Sequence, residues 1–408
     1  NAVDSLVHNK IEPLITIECT PNQISNKPNK NNDVYTNSYP PKDYKLWGKI
    51  TEDMLTHFIE RYGKENVTCW HFDIWNEPEA NRYFKGTLDE YLKVYDQALS
   101  ALLRVEKKFG IKLKKGTMSS AGQRYFRPLF DHLKKKGMLH HVDYLSFHIY
   151  AGTKLAFSNY VRAIKQAAKT RDSYEELQGK PLLITEYNGN SMPGEIYRDN
   201  HVMASMIVKA ARVFIDNDVK RAYYHSAIEF AHKKTKDLHF NGGCALISKS
   251  GLPKASYNAI VLLNKLVVGR RVALESSNEP IDGIAVITQD NSLRIILTSF
   301  DDADLETNKA TEVNVMLEWR DMPSEVKATI IRLDKNHGDV YTEFLALGKP
   351  KINNPNNKTN IKRMLETSKL QEEKINNFTV ANGKIKFNLR LNRNSIIYLE
   401  FRDSRDKK

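Results

Sequence analysis

Residues 68–78 read TCWHFDIWNEP, an apolar run that ends in the polar triplet Asn76, Glu77 and Pro78. Its aromatic and β-branched residues predict a buried strand over residues 68–75. Asn76 and Glu77 come directly after that strand, and Pro78 stiffens the turn that follows them. The run therefore carries a carboxyl group at the carboxyl end of a strand.

A second run has the same form, since residues 182–188 read LLITEYN. The predicted strand over residues 182–186 ends at Glu186. In a sheet of parallel strands the carboxyl ends meet at one edge, so Glu77 and Glu186 are expected to face a common cleft.

The first 265 residues or so alternate between short apolar strands and helices, which predicts a parallel sheet. Strands are predicted at residues 14–17, 68–75, 113–119, 144–150, 182–186 and 221–226, and helices at 50–62, 87–110, 159–170, 200–216 and 256–267. No glycine-rich phosphate loop follows any strand, which disfavours a doubly wound sheet. Polar residues at the strand ends favour a (β/α)8 barrel.

After residue 268 the pattern changes to short alternating strands separated by turns, which is typical of an antiparallel β-sandwich. A helix is also predicted there, over residues 361–373. The sequence thus predicts an α/β protein with two domains, a barrel over residues 1–267 and a sandwich over residues 268–408.

The two glutamates suit glycoside hydrolysis with retention of configuration, which needs two carboxyl groups about 5–5.5 Å apart. One carboxyl group donates a proton to the leaving oxygen, and the other attacks the anomeric carbon. For either glutamate alone, a buried ion pair is an equal alternative. The motifs around both residues favour catalysis.

The chain resembles glycoside hydrolase family 39, the family of β-xylosidases and α-L-iduronidases. The resemblance rests on six segments in the same order: PPKDY at 40–44, RYG at 61–63, FDIWNEP at 72–78, SFHIY at 146–150, GGCALI at 242–247 and GLPK at 251–254. It implies that Glu77 is the acid/base on strand four and Glu186 the nucleophile on strand seven. It also implies that Asn76, His148 and Tyr150 contact the sugar.

The eighth strand departs from the family pattern, in which a Trp usually forms the floor of the sugar site. The four Trp residues lie elsewhere, and this strand reads AYYHS at 222–226. A Tyr ring still offers an apolar face, so Tyr223 or Tyr224 is expected to replace the platform, with His225 beside it as a further substrate contact.

The strand count is also two short, because residues 14–17 correspond to strand three of the barrel. The sequence is therefore expected to lack a natural N-terminal part that carries strands one and two. A family arginine on strand two has no counterpart in the sequence for the same reason.

The net charge of +13 is interpreted as lysine spread over solvated helix faces, without a nucleic-acid motif. No apolar run is long enough for a membrane span, and three cysteines support neither a disulfide framework nor a zinc site. The expected partner is an oligosaccharide or glycoside, with an acidic sugar left open. No cofactor, metal, nucleic acid or membrane partner is expected, and the oligomeric state is not assigned.

Two functions compete with a β-xylosidase-like exo-acting enzyme. A basic loop at residues 232–236, HKKTK, could hold the carboxylate of a uronide and favours an α-L-iduronidase-like enzyme. A carbohydrate-binding protein without turnover is disfavoured by the presence of both glutamates. If a signal peptide is missing, a secreted, periplasmic or lysosomal location is favoured over the cytoplasm.

Overall fold

The computed structural model describes residues 2–28, 37–152, 156–192, 194–229, 237–278, 280–303, 305, 309–381 and 383–405. The chain forms two compact units that interleave along the sequence. The first unit comprises Asn1–Ile149, Val161–Tyr187 and Asn217–Tyr223, and the second comprises Tyr150–Tyr160, Asn188–Asp216 and Tyr224–Lys408. The domain boundary after residue 267 stays a prediction.

The α-helices occur in both units. In chain order they are α1 (Ala2–His8), α2 (Tyr44–Tyr62), α3 (Lys64–Val67), α4 (Leu88–Phe109), α5 (Phe126–Lys135), α6 (Ser158–Asp172), α7 (His201–Asp216), α8 (Ala255–Asn264), α9 (Val340–Ala346) and α10 (Asn357–Thr367). Short 3₁₀ helices lie at Leu139–His141, Glu175–Leu177 and Ile196–Asp199. Within the described ranges, none of these helices combines the length and the apolar composition needed to cross a bilayer.

The strands are numbered in the same way. They are β1 (Leu14–Ile17), β2 (His71–Ile74), β3 (Lys114–Lys115), β4 (Leu145–Tyr150), β5 (Leu182–Asn188), β6 (Val219–Tyr224), β7 (Gly269–Val272), β8 (Ile281–Thr288), β9 (Leu293–Ser299), β10 (Ala310–Glu318), β11 (Val326–Leu333), β12 (Glu372–Ile375), β13 (Thr379–Ala381), β14 (Lys384–Asn392) and β15 (Ser395–Asp403).

Strands β1 to β6 alternate with helices, as the sequence predicts for a (β/α)8 barrel. β1 pairs in parallel with β2, and β2 pairs in parallel with β3. β4, β5 and β6 form a second sheet in that order. Ser120, which follows β3, forms a parallel bridge to Phe147 of β4. In the described part of residues 1–268 the strands number six, as predicted.

Two of these strands are shorter than predicted, for local reasons. β2 begins at His71 because Thr68 caps the short helix α3. β3 ends at Lys115, although the Gly116 amide still donates to the carbonyl of Phe72 at 2.8 Å; Gly116 lies so close to Asp73 and Tyr144 that a Cβ atom there would overlap both side chains. The chain beyond it bends at Ser119, whose φ is 43°.

Helix α4 shows how sequence signals set the ends of an element. The Thr87 hydroxyl accepts a hydrogen bond from the Glu90 amide at 3.2 Å, and the Thr87 amide donates to the Glu90 carboxylate at 2.7 Å. This capping box satisfies amides that the first helical turn leaves unpaired. The helix ends before Gly110, which adopts a φ of 64° that glycine tolerates without strain.

The C-terminal part of the second unit is a β-sandwich, as predicted. Among the described residues, one sheet has the strand order β12-β11-β15-β9-β8-β7 and the other has the order β10-β14-β13. Alternate residues of β14 are buried, and they pack with buried residues of β9 and β15 in one core. The core includes Leu297, Trp319, Phe387, Leu389, Leu399 and Phe401.

The predicted helix over residues 361–373 is wrong at both ends. Helix α10 already begins at Asn357 and ends at Thr367, where Ser368 turns its hydroxyl back to the carbonyl of Leu365 at 2.8 Å. Residues of β12 instead pair with β11, with Glu373 opposite Ile330. Tertiary pairing at this sheet edge thus overrides the helix propensity of the Glu-rich segment.

Candidate active site

The backbone that carries Glu77 is attached to β1 and to the segment that follows β3. The Trp75 amide donates to the carbonyl of Ile17 in β1 at 3.0 Å, and the Glu77 amide donates to the carbonyl of Ser119 at 3.2 Å. Trp75 and Glu77 have φ angles of 77° and 46°, which are uncommon for residues with a Cβ atom. These hydrogen bonds hold the turn in that conformation.

A second attachment comes from Glu79, two residues further along. The amide of Gly122 donates to the Glu79 carboxylate at 3.0 Å, and the Ser120 hydroxyl contacts the same oxygen. The carbonyl of Ser120 in turn accepts a hydrogen bond from the His148 amide at 2.8 Å. The segment after β3 therefore links the Glu77 turn to β4.

His148 brings the two predicted catalytic glutamates together. Its Nδ1 lies 2.6 Å from Glu77 Oε1 and 3.5 Å from Glu186 Oε2. The His148 side chain is 3% exposed, whereas those of Glu77 and Glu186 are 14% and 22% exposed. The imidazole thus lies behind two carboxyl groups that remain accessible to a substrate.

This shared contact limits the distance between the two carboxyl groups. Two oxygens that lie 2.6 Å and 3.5 Å from the same nitrogen can be no more than about 6 Å apart. Retaining glycosidases separate their carboxyl groups by about 5–5.5 Å, and inverting enzymes by about 6.5–9.5 Å. The arrangement is compatible with the retaining distance.

The protonation of His148 reflects a balance of opposing effects. Burial disfavours the charged imidazolium, but the hydrogen bond with Glu77 and the charges of Glu186, Glu77 and Asp73 outweigh burial and raise the pKa of His148 above 6.5. The two glutamates therefore favour the protonated form of His148.

We expect the His148 imidazole to titrate above pH 6.5 in the folded protein. Because its folded-state pKa is raised, its charge stabilises the fold fully below the unfolded pKa, and this contribution is lost as pH rises through the folded pKa. A histidine NMR titration measures the midpoint, with His148→Asn identifying the signal. Glu77→Gln removes a charged acceptor and should lower the midpoint. A wild-type midpoint at or below 6.5 would contradict the expectation.

Asp73 belongs to the same motif as Glu77, but the sequence pattern did not single it out. Its side chain is fully buried, and the Ser119 hydroxyl donates to Asp73 Oδ2 at 2.5 Å. Burial raises the pKa of Asp73, and hydrogen bonds from Ser119, Tyr144 and Ser146 oppose that rise. The carbonyl of Ser119 also accepts the hydrogen bond from the Glu77 amide, so Asp73 stabilises the Glu77 turn through Ser119.

A further carboxyl group, that of Glu18, follows β1 at the same end of the sheet. The strand was predicted from the sequence, but Glu18 was assigned no role. The alternation of side chains along β1 could have found it, because residues 14, 16 and 18 point to one face.

Three predicted substrate contacts belong to the second unit. At the end of β4, the hydroxyl of Tyr150 lies 3.5 Å from Nδ1 of His225. The carbonyl of His225 accepts a hydrogen bond from the Asn188 amide group at 2.5 Å. Tyr224 is the last residue of β6 and directly precedes His225. The contacts of Tyr150, Tyr224 and His225 with a sugar stay predictions.

The remaining predicted features have fewer described contacts. Asn76 is half-buried beside Glu77, and its contact with a sugar stays a prediction. The basic loop at residues 232–236 lies outside the described residues. In the part of the chain that the structure describes, no three His, Cys, Asp or Glu side chains are grouped so that they could hold a metal ion.

Comparison with known proteins adds independent findings. Residues 1–386 match the family described as Glycosyl hydrolases family 39. A β-xylosidase from Caldicellulosiruptor saccharolyticus is 29% identical over 408 residues, which cover 97% of this chain and 80% of the relative.

Two solved structures have a similar fold. A monomeric β-xylosidase from Caulobacter crescentus CB15 gives a TM-score of 0.80 at 20% identity, over 98% of this chain and 83% of that one. A GH39 enzyme from Xanthomonas axonopodis pv. citri gives a TM-score of 0.80 at 18% identity. The match covers 98% of this chain and 81% of that one. The likeness confirms the predicted fold class, a (β/α)8 barrel followed by a β-sandwich.

Proposed function

The chain belongs to glycosyl hydrolases family 39 and is a glycoside hydrolase, and from that premise we propose that it removes terminal β-xylosyl residues with retention of configuration. The β-xylosidases from Caldicellulosiruptor saccharolyticus and Caulobacter crescentus support the xylosidase-like activity. The observation that carries the proposal is the contact of Glu77 and Glu186 with one nitrogen of His148.

In the first step, the carboxylate of Glu186 attacks the anomeric carbon and forms a covalent glycosyl-enzyme. The bond to the leaving oxygen breaks, and that oxygen receives the proton of the Glu77 carboxyl group. Protonation matters because an alkoxide is a poor leaving group, and general acid help is worth about 10²–10⁴-fold. The aglycone then departs as an alcohol.

In the second step, a water molecule attacks the anomeric carbon through its oxygen, from the face opposite to Glu186. Glu77 accepts a proton from this water molecule as it attacks. The ester bond breaks and Glu186 is released as a carboxylate. Two inversions at the same carbon give net retention. One carboxyl group therefore serves as acid and then as base, while the other stays the nucleophile.

His148 would assist both steps through its position. Its Nδ1 orients Glu77 Oε1 through the 2.6 Å contact. In its protonated form it also stabilises the Glu186 carboxylate when that group is released in the second step. Asn76, Tyr150, Tyr224 and His225 are proposed to hold the sugar, with a Tyr ring as the platform.

A panel of nitrophenyl glycosides tests the proposal. We expect the β-D-xyloside to have the highest kcat/KM among xyloside, glucoside, arabinoside, glucuronide and α-L-iduronide substrates. Proton NMR of the sugar formed in the first minutes should show the β-anomer. Preferential cleavage of the iduronide would replace the xylosidase-like proposal, and initial release of the α-anomer would exclude the retaining mechanism.

A further inference from the structure

Glu18 lies at the rim of the candidate site on the strand beside the Glu77 turn. In the parallel pairing of β1 with β2, Thr16 is opposite Asp73 and Ile17 is opposite Ile74. Paired residues of neighbouring strands point to the same face of a sheet. Asp73 points toward Ser119 and β4, so Thr16 and, two residues later, Glu18 point to that same inner face.

The height of Glu18 along the strand is also defined. The carbonyl of Ile17 accepts the hydrogen bond from the Trp75 amide at 3.0 Å, so Glu18 follows β1 at the level where the Glu77 turn begins. Its side chain is exposed to solvent. An inward-facing and accessible carboxyl group at this level borders the space in which a sugar would lie.

Glu18 also interacts electrostatically with Glu77, Glu186 and His148. Although Glu18 retains exposed surface, the groups around its carboxyl group exclude part of the water from it and so raise the pKa of Glu18; the charges of Glu77 and Glu186 raise it further, and the charge of His148 opposes them. Glu18 therefore interacts with both catalytic candidates and with the imidazole between them.

The described residues leave the hydrogen-bonding capacity of the Glu18 carboxylate available. Among the described residues, no backbone or side-chain group donates a hydrogen bond to it, in contrast to Glu79 and Asp73. An ionised carboxylate only accepts hydrogen bonds, and sugar hydroxyls are donors. Glu18 is thus suited to receive hydroxyl groups of a bound sugar.

The sign of the surrounding charge decides which sugars fit. Two carboxyl groups of the first unit, those of Glu77 and Glu186, contact His148, and those of Glu18 and Asp73 interact with its charge. A second negative charge brought close to Glu18 is unfavourable, and such repulsion is a common source of specificity.

We infer that Glu18 is a specificity-determining residue, whose carboxylate accepts hydroxyl groups of a neutral terminal sugar and disfavours a sugar that carries a carboxylate. This inference rests on the proposed function, because it assigns the sugar to the site of Glu77 and Glu186. It goes against the uronide alternative that the basic loop at residues 232–236 suggests.

D-Xylose and D-glucuronate are a matched pair of probes, since glucuronate is a xylopyranose that bears a carboxylate at C5. Calorimetry or NMR measures their binding directly, at mildly alkaline pH where both Glu18 and glucuronate are ionised. The wild type should prefer xylose, and raising the salt concentration should narrow the preference by screening. This salt effect tests the inference without any variant.

Glu18→Gln removes the charge while keeping the shape. It should weaken xylose binding about tenfold or more, because hydrogen bonds to charged groups are worth that much. It should strengthen glucuronate binding, so the preference shrinks or reverses. Glu12→Gln is the matched control, since Glu12 precedes the same strand at its other end and pairs with Arg221 at 2.6 Å.

The outcomes separate this inference from the proposed function. The role of Glu18 is overturned if the preference for xylose over glucuronate is unchanged in Glu18→Gln, or if the wild type binds glucuronate better than xylose. Both outcomes hold whether or not the protein hydrolyses glycosides. Absence of hydrolysis of every glycoside overturns the proposed function, while the binding ratio still decides the role of Glu18. A wild type that binds neither sugar overturns the inference.

Discussion

Replacing Glu186 with glutamine is expected to lower kcat/KM for every glycoside by on the order of 10⁴- to 10⁶-fold, because no glycosyl-enzyme can form without the nucleophile. The loss should be similar for nitrophenyl glycosides and for oligosaccharides, since attack is required with any leaving group. Stopped and continuous assays with both substrate types measure it. A loss confined to poor leaving groups would contradict the assigned role.

The stereochemistry of rescue gives a sharper test of the same role. In Glu186→Ala, added azide can occupy the space of the carboxylate and attack the anomeric carbon from that side. A single displacement then yields a glycosyl azide of inverted configuration. An azide product of retained configuration would show that residue 186 is not the nucleophile.

Replacing Glu77 with glutamine should give a loss that depends on the leaving group. Hydrolysis of oligosaccharides loses the general acid contribution, about 10²–10⁴-fold, whereas a nitrophenolate departs with little protonation. With the nitrophenyl substrate, hydrolysis of the glycosyl-enzyme should become rate-limiting, because Glu77 also activates the water. A burst of nitrophenolate followed by a slow steady rate is the expected signal.

Azide should accelerate turnover of the Glu77 variant as well, since it needs no base to attack the intermediate. Here the product is a glycosyl azide of retained configuration. Glu65→Gln is a suitable control, because Glu65 is exposed and precedes the same strand. If the product configurations of the two variants are interchanged, the roles of Glu77 and Glu186 are interchanged too.

The sequence predicted that Glu77 and Glu186 lie close together. Glu77 follows, and Glu186 ends, a run of apolar residues that was predicted as a strand, and parallel strands present their carboxyl ends at one edge. The 2.6 Å and 3.5 Å contacts of His148 with these two glutamates are features of the folded chain. The role of His148 was implied by the resemblance to the family and not by the strand pattern.

Other features depend on packing that a linear pattern does not encode. Asp73 lies within the FDIWNEP motif, yet its role could not be predicted, because its burial depends on Gly116 and Tyr144, which belong to other segments. Glu18 was assigned no role, although the alternation of side chains along β1 points it to the same face as Thr16; its interaction with Glu77 and Glu186, which are far away in sequence, appears only in the folded chain. The end of β3 and the pairing of β12 were missed for the same reason.

The positive φ angles of Trp75 and Glu77 also bear on how the site persists over generations. Such conformations cost about 1–3 kcal/mol each, and the hydrogen bonds to Ile17 and Ser119 maintain them. A population selected only for folded, abundant protein would gain stability by accepting glycine or asparagine at position 77, whereas the buried Trp75 side chain packs against Trp47 and Phe84 and would be retained. Descendants that no longer need turnover should therefore lose Glu77 before the strands around it diverge.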